Sequence, residues 1–181
     1  MESVFQIFGT LINKLFSHRI NQLNIPTKNI PDSETLKSEI VNLIDPITKE
    51  IKYTFWFRSI ESTGQVIYSG VYGISDLPSG KTCVKAVFPL PNGNATVLMN
   101  PSVGENGELI LDSCGEKFGD AGFYFLLKDS KSEFWSQFIS SFRDTLIIGS
   151  ENDVIFAEQT LTLWHLKVLT FNYKIEMRNQ N

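Results

Sequence analysis

Apolar and polar side chains alternate over short segments through the second half of the chain. In the segment 53–58, Tyr53, Phe55 and Phe57 fall on one side of an extended chain, and the residues between them fall on the other. A period of two is the signature of a β-strand. The same reasoning predicts further strands at Gln65–Ile74, Thr82–Phe88, Ala95–Asn100, Glu108–Ser113, Gly122–Lys128 and Val154–Ile175.

Turn signals stand between these segments. Pro78, Ser79 and Gly80 follow one predicted strand, and the pairs Asn92-Gly93 and Asn106-Gly107 separate others. Asn-Gly is a strong hairpin signal because both residues tolerate positive φ. The sequence therefore predicts a mainly β fold, within the α+β class, built as an antiparallel barrel or sandwich with one or two N-terminal helices.

The pattern near the N-terminus is helical instead. Apolar residues at positions 4, 7, 8, 11, 12 and 15 form one stripe within Val4–Phe16, and a second stripe, formed by Leu36, Ile40, Leu43 and Ile44, predicts a short helix that ends at Asp45-Pro46. We predict a single domain, 1–181, with a helical segment at 1–45 and an antiparallel β body at 50–177. The first helix packs on this body or serves as an interfacial membrane anchor.

Two segments of the β body are ambiguous. Phe134, Phe138 and Phe142 fit one face of a helix, but they also fall on one side of a strand. We predict one long strand over 134–148, because the preceding Asp129–Ser132 has the composition of a turn. The apolar face changes near Trp164–Lys167, which indicates a bulge or a tight turn.

Composition restricts the function classes. The 181 residues are 42% hydrophobic, which is ordinary for a soluble globular protein, and the formal charge of −4 comes without any basic run. A protein that neutralises several phosphates needs a basic stripe, so we expect no nucleic-acid partner. Two cysteines without a secretory signal favour reduced, buried thiols and a cytoplasmic location, with a disulfide as the less favoured alternative.

Recognised catalytic motifs are missing from the sequence. Gly80-Lys81-Thr82 has the end of a P-loop, but its glycine spacing is wrong, and no dinucleotide fingerprint opens a helix. His18, His165 and the two cysteines lack metal-ligand spacing, so we expect no metal and no cofactor. Ser113 lacks the first glycine of a nucleophile elbow. A lone histidine in a strand such as His165 is more often structural than catalytic.

One segment remains as the basis for a candidate site. Gly115–Tyr124 has three glycines within eight residues, followed by paired aromatics, and indicates a loop that packs closely or shapes the mouth of a cavity. A small-ligand site combines aromatic and polar lining. The predicted ligand-binding residues are Trp56, Arg58, Asp120, Tyr124, Trp164 and His165, and the alternative is that they are core aromatics with satisfied polar tips.

The order of several motifs resembles an uncharacterised bacterial β-rich domain that can follow saccharopine-dehydrogenase-like reductase modules. The resemblance is carried by Phe55–Arg58, Asn106–Ser113, Phe118 with Gly122-Phe123, Val154–Phe156 and Val168–Tyr173, over roughly the last 125 residues. Pro89-Leu90-Pro91 departs from it, because that domain has its prolines after the glycine-rich loop. The resemblance implies an antiparallel β domain and transfers no functional residue.

Three functions are compatible with these patterns. The leading hypothesis is the binding of a small apolar or amphipathic ligand in a β-enclosed cavity. The first alternative is an enzyme that uses the same cavity with His165 as acid or base. The second is a non-catalytic interaction domain whose N-terminal helix docks on a protein or membrane. The oligomeric state stays open.

Overall fold

The computed structural model describes residues 36–175, except 91 and 153. Within that range it contains no helix and eleven strands: β1 (Leu36–Ile44), β2 (Ile51–Ile60), β3 (Val66–Asp76), β4 (Thr82–Leu90), β5 (Gly93–Val103), β6 (Leu109–Asp112), β7 (Gly122–Lys128), β8 (Phe134–Phe138), β9 (Phe142–Glu151), β10 (Val154–Leu163) and β11 (Leu166–Ile175). The mainly β, antiparallel prediction is confirmed. The helix predicted over Val4–Phe16 lies outside the described residues.

The prediction of a second helix is wrong, because Leu36–Ile44 forms β1. All nine residues pair with β2, from Leu36 opposite Ile60 to Ile44 opposite Ile51. Positions four apart share one side of a strand as well as one stripe of a helix, so spacing did not distinguish the two. Asp45 forms a reversing turn, in which Oδ1 accepts hydrogen bonds from the amides of residues 47 and 48 at 2.8 and 3.0 Å.

The prediction of one long strand over 134–148 is also wrong in part. The segment is extended, but it is divided into β8 and β9. The backbone amide of Ile139 donates to the carbonyl of Phe123 at 2.8 Å, and the carbonyl of Ser141 accepts from the amide of Trp164 at 2.8 Å. Both contacts join residues that are distant in the sequence, so a local pattern could not predict them. They hold the backbone at the break between β8 and β9.

The described chain forms two compact units. Unit 1 includes residues 36–72 and 87–94, and therefore β1, β2, most of β3 and the end of β4. Unit 2 includes residues 73–86 and 95–175, and therefore the remaining parts of these strands, β5 except its first two residues, and all later strands.

In unit 1, the pairing of β1 with β2 and of β2 with β3 sorts the side chains onto two faces. Val41 is opposite Phe55, which is opposite Val71, so these three residues share one face. Ile40 is opposite Trp56 on the other face.

In unit 2, β6 pairs with β5 and β9, β9 with β10, and β10 with β11, while β7 pairs with β5 and β8. The alternation in β5 buries Ala95, Val97 and Met99. A cluster of Leu77, Cys83 and Ala121 adds to this core. Among the side chains that the structure describes, the buried hydrophobic ones belong to unit 2, with Leu90 of unit 1 as the exception.

Candidate functional site

Trp56 and Arg58 lie side by side on one face of β2, as the alternation predicted. The guanidinium carbon of Arg58 is 4.3 Å from the centroid of the Trp56 ring, a cation–π distance. The indole nitrogen of Trp56 donates to the hydroxyl of Ser38 at 2.7 Å, and its ring is 6.3 Å from that of Tyr72. This part of the predicted site is therefore an aromatic and cationic surface within unit 1.

Asp120 and Tyr124 are also brought together, but by structural hydrogen bonds. The phenol of Tyr124 donates to the carbonyl of Asp120 at 2.6 Å and accepts from the amide of Gly119 at 3.0 Å. The carboxylate of Asp120 accepts from the amides of Glu116 and Lys117 at 3.1 and 3.2 Å. Burial raises the pKa of the Tyr124 phenol. These polar groups hold the glycine-rich loop in its conformation.

The close packing predicted for that loop is present. The amide of Gly115 donates to the carbonyl of Ala121 at 2.8 Å, and a Cβ at position 115 would overlap the same oxygen atom. A Cβ at Gly122 would overlap the ring of Phe138. Both positions therefore require glycine for steric reasons.

Trp164 and His165 form the two-residue turn between β10 and β11. Their φ angles are 48° and 66°, the left-handed values that a tight hairpin turn requires. The turn predicted at Trp164–Lys167 is confirmed, and both side chains are exposed. The six predicted residues thus form three local groups, one in unit 1 and two in unit 2.

A polar cluster in unit 2 was missed at the level of the sequence. Ser113 and Asp144 are both buried, and the Ser113 hydroxyl donates to the Asp144 carbonyl at 3.0 Å and accepts from the Asp144 amide at 2.7 Å. This hydroxyl joins β9 to the chain after β6. The only signal in the sequence was an acidic residue just before the apolar run Leu146–Ile148 of the same strand.

Burial shifts the pKa values of two ionisable groups at this cluster towards the neutral forms. Burial raises the pKa of Asp144 to about 6, although Gln159 donates a hydrogen bond to its carboxylate at 2.8 Å. Burial and the neighbouring Asp112 carboxylate raise the pKa of the Cys114 thiol. Nucleophilic cysteines have lowered pKa values, and the raised pKa of Cys114 is instead typical of a buried structural thiol. Cys83 is also a free, buried thiol.

One face of β1–β3 forms a continuous apolar surface in unit 1. We name it the apolar face, and it consists of Val41, Leu43, Tyr53, Phe55, Phe57 and Val71. The rings of Phe55 and Phe57 are stacked, with centroids 6.0 Å apart. Val41 and Leu43 are each 52% exposed and Tyr53 is 49% exposed. A sheet face with this composition is normally covered.

One end of the apolar face carries charge. Lys37 and Glu39 lie on the same side of β1 as Val41 and form an exposed salt bridge of 3.0 Å. Apolar side chains therefore give way to a pair of opposite charges along a single strand. The surface is apolar over most of its length and polar at one end.

A surface cleft of unit 2 has a different character. Its volume is about 340 Å³, and its lining includes Glu108, Glu151 and Phe156. None of the six predicted residues lines it. Within residues 36–175, leaving out 91 and 153, no group of three or more acidic, histidine or cysteine side chains is placed to hold a metal. Over the same range, no helix has the length and apolar character needed to cross a bilayer.

The fold and these surfaces define an antiparallel β protein with an incompletely covered apolar face. Comparison of the chain with protein-family models, with curated proteins and with solved structures finds no match in any of the three.

Proposed function

We propose that this protein is a non-catalytic binding protein that holds a small amphipathic molecule with a single alkyl chain along the apolar face of β1–β3. The observation that carries the proposal is the half-exposed state of large apolar side chains on one side of these strands. An exposed apolar patch rimmed by polar residues is typical of a binding surface. The charges of Lys37 and Glu39 at one end suit the polar head group of such a ligand.

The dimensions support an extended ligand. From Lys37 to Leu43 the strand rises by roughly 20 Å, and the two outer strands of β1–β3 are about 10 Å apart. A ligand on this surface is covered on one side only. If half of each methylene is removed from water, each contributes about 0.4 kcal/mol, half of the value for full burial.

Ligand chain length provides the first test. Calorimetric titration with alkyl carboxylates of increasing length, kept below their micelle concentrations, should give a Kd that falls about twofold per added methylene on the half-covered face. If the ligand is fully enclosed, the Kd should fall about fourfold per added methylene. Absence of binding at every length would overturn the proposal, and a fourfold slope would favour the enclosed cavity of a barrel or sandwich.

Two neighbouring residues provide a matched pair of variants. Val41 is on the apolar face and Ile40 is on the opposite face of the same strand, with 52% and 68% of their surfaces exposed. Val41→Gln should weaken binding of dodecanoate at least fivefold, whereas Ile40→Gln should leave the Kd within twofold of the parent value. Equal effects of the two substitutions would show that the ligand binds elsewhere.

The enclosed cavity, the cytoplasmic location and the likeness to the bacterial domain stay predictions. The enzyme alternative also stays a prediction, and it is tested below through His165.

A further inference from the structure

β1 is at one end of the hydrogen-bonded strand order in the described part of the chain. Its described neighbour is β2, and no described strand pairs with its other side. An edge strand presents a row of backbone donors and acceptors to any second strand. Proteins usually guard such an edge with charged side chains, proline, a β-bulge or a very short strand.

β1 has few of these guards, since its one register shift lies at its end, between Leu43 and Ile44. It is nine residues long, contains no proline and exposes Ile40, Val41 and Leu43. Its two charges, on Lys37 and Glu39, have opposite signs and neutralise each other. At the other end of the strand order, β11 carries Lys167 and Lys174 and no acidic residue, so two copies of that edge would repel each other.

We propose that two copies of this chain associate by antiparallel pairing of β1 with β1 about a twofold axis through Ile40. This register uses all nine residues and places Ser38 opposite Asn42 of the second copy. A register centred on Glu39 would set two carboxylates opposite each other, which is unfavourable. A symmetric dimer with one self-complementary patch is the commonest form of soluble oligomer.

The pairing energy indicates a moderate affinity. Nine residues paired on each side form roughly nine backbone hydrogen bonds, each with a modest net contribution. The Ile40 side chains of the two copies meet at the axis and add apolar contact. The loss of translational and rotational freedom opposes this gain, so we expect a dimer that forms only at micromolar or higher concentrations. The inference does not depend on the proposed ligand.

Sedimentation velocity of the full chain over a wide concentration range tests the dimer. Ile40→Lys places two ammonium groups opposite each other at the axis and should raise the dissociation constant more than tenfold. Ile47→Lys makes the same change in the turn after β1, where the side chain is 88% exposed, and should have no such effect. A protein that stays monomeric at high concentration, or equal effects of the two variants, would overturn the proposal.

Crosslinking tests the register independently of any loss of folding in the lysine variants. Residues on the axis are about 4.5 to 5.5 Å apart in either type of antiparallel pair, within disulfide reach. Ile40→Cys should therefore form an intermolecular disulfide through position 40, identified by peptide mapping. Leu43→Cys faces Lys37 of the second copy and should not link to itself. Linkage at 43 without linkage at 40 would refute the proposed register.

Discussion

Asp144 is expected to make folding stability depend on pH. Its side chain is 7% exposed, and its Oδ1 atom has no hydrogen-bond partner in the structure. Burial raises the pKa from 3.8 to about 6, with Gln159 opposing the rise and Asp112 adding to it. The folded state therefore favours the protonated carboxyl.

The sign of the effect follows from linkage. Because the folded-state pKa is above the unfolded value, the stability contributed by the protonated carboxyl is fully present below about pH 4. It is lost as the pH rises to about 6. At about 1.36 kcal/mol per pKa unit, the rise from 3.8 to about 6 corresponds to up to about 3 kcal/mol.

The perturbation is Asp144→Asn, which removes the ionisation and keeps an oxygen that accepts from Gln159. Urea unfolding followed by tryptophan fluorescence, at several pH values from 4 to 8, gives the free energy of unfolding of both proteins. Between pH 4 and pH 8, the free energy of unfolding of the variant should rise by up to about 3 kcal/mol relative to that of the parent. The cost of burying the new amide group is the same at every pH. It shifts every free energy of unfolding of the variant equally, so it does not change how the difference from the parent depends on pH.

Glu158→Gln is the matched control, because it removes an exposed carboxylate next to Gln159 on β10. It should change stability by less than about 0.5 kcal/mol at every pH. The pKa values of Asp45 and Glu108 are lowered in the folded state, so these two groups make stability rise with pH. This contribution is common to all three proteins and cancels when their free energies of unfolding are compared. A pH-independent difference between Asp144→Asn and the parent would refute the reasoning.

Three further changes follow from the contacts of unit 2. Gly122→Ala should destabilise by about 1–3 kcal/mol in urea unfolding because its Cβ overlaps a ring of β8, whereas Gly149→Ala, with only ordinary contact, should cost less. Tyr124→Phe removes two backbone hydrogen bonds of the glycine-rich loop and should cost about 1–3 kcal/mol with little change in circular dichroism. Replacing Trp164 and His165 together by Asn-Gly relieves two left-handed residues and should raise stability by about 1 kcal/mol. Loss of a measurable turnover in that last variant would instead support the enzyme alternative.

Local patterns determined most of the strands. The alternation in Tyr53–Arg58 correctly predicted β2, and it placed Trp56 and Arg58 on one face because a strand fixes the direction of every second side chain. Asn-Gly signals and Asp129 correctly marked reversals, since turn chemistry depends on a few adjacent residues. These features require no information from distant parts of the chain.

Contacts between strands decided the features that local patterns did not predict. Leu36–Ile44 has a spacing that both helix and strand allow, and its pairing with β2 makes it a strand. Ser113 lies 31 residues from Asp144, and their contact forms only when β6 and β9 are adjacent. The sequence by itself thus determined the secondary structure wherever the hydrophobic pattern fitted the period of only one type of element. Only the pairing of strands decided which side chains became buried, which stayed exposed and which formed the candidate binding surface, because burial depends on neighbours that a local pattern does not contain.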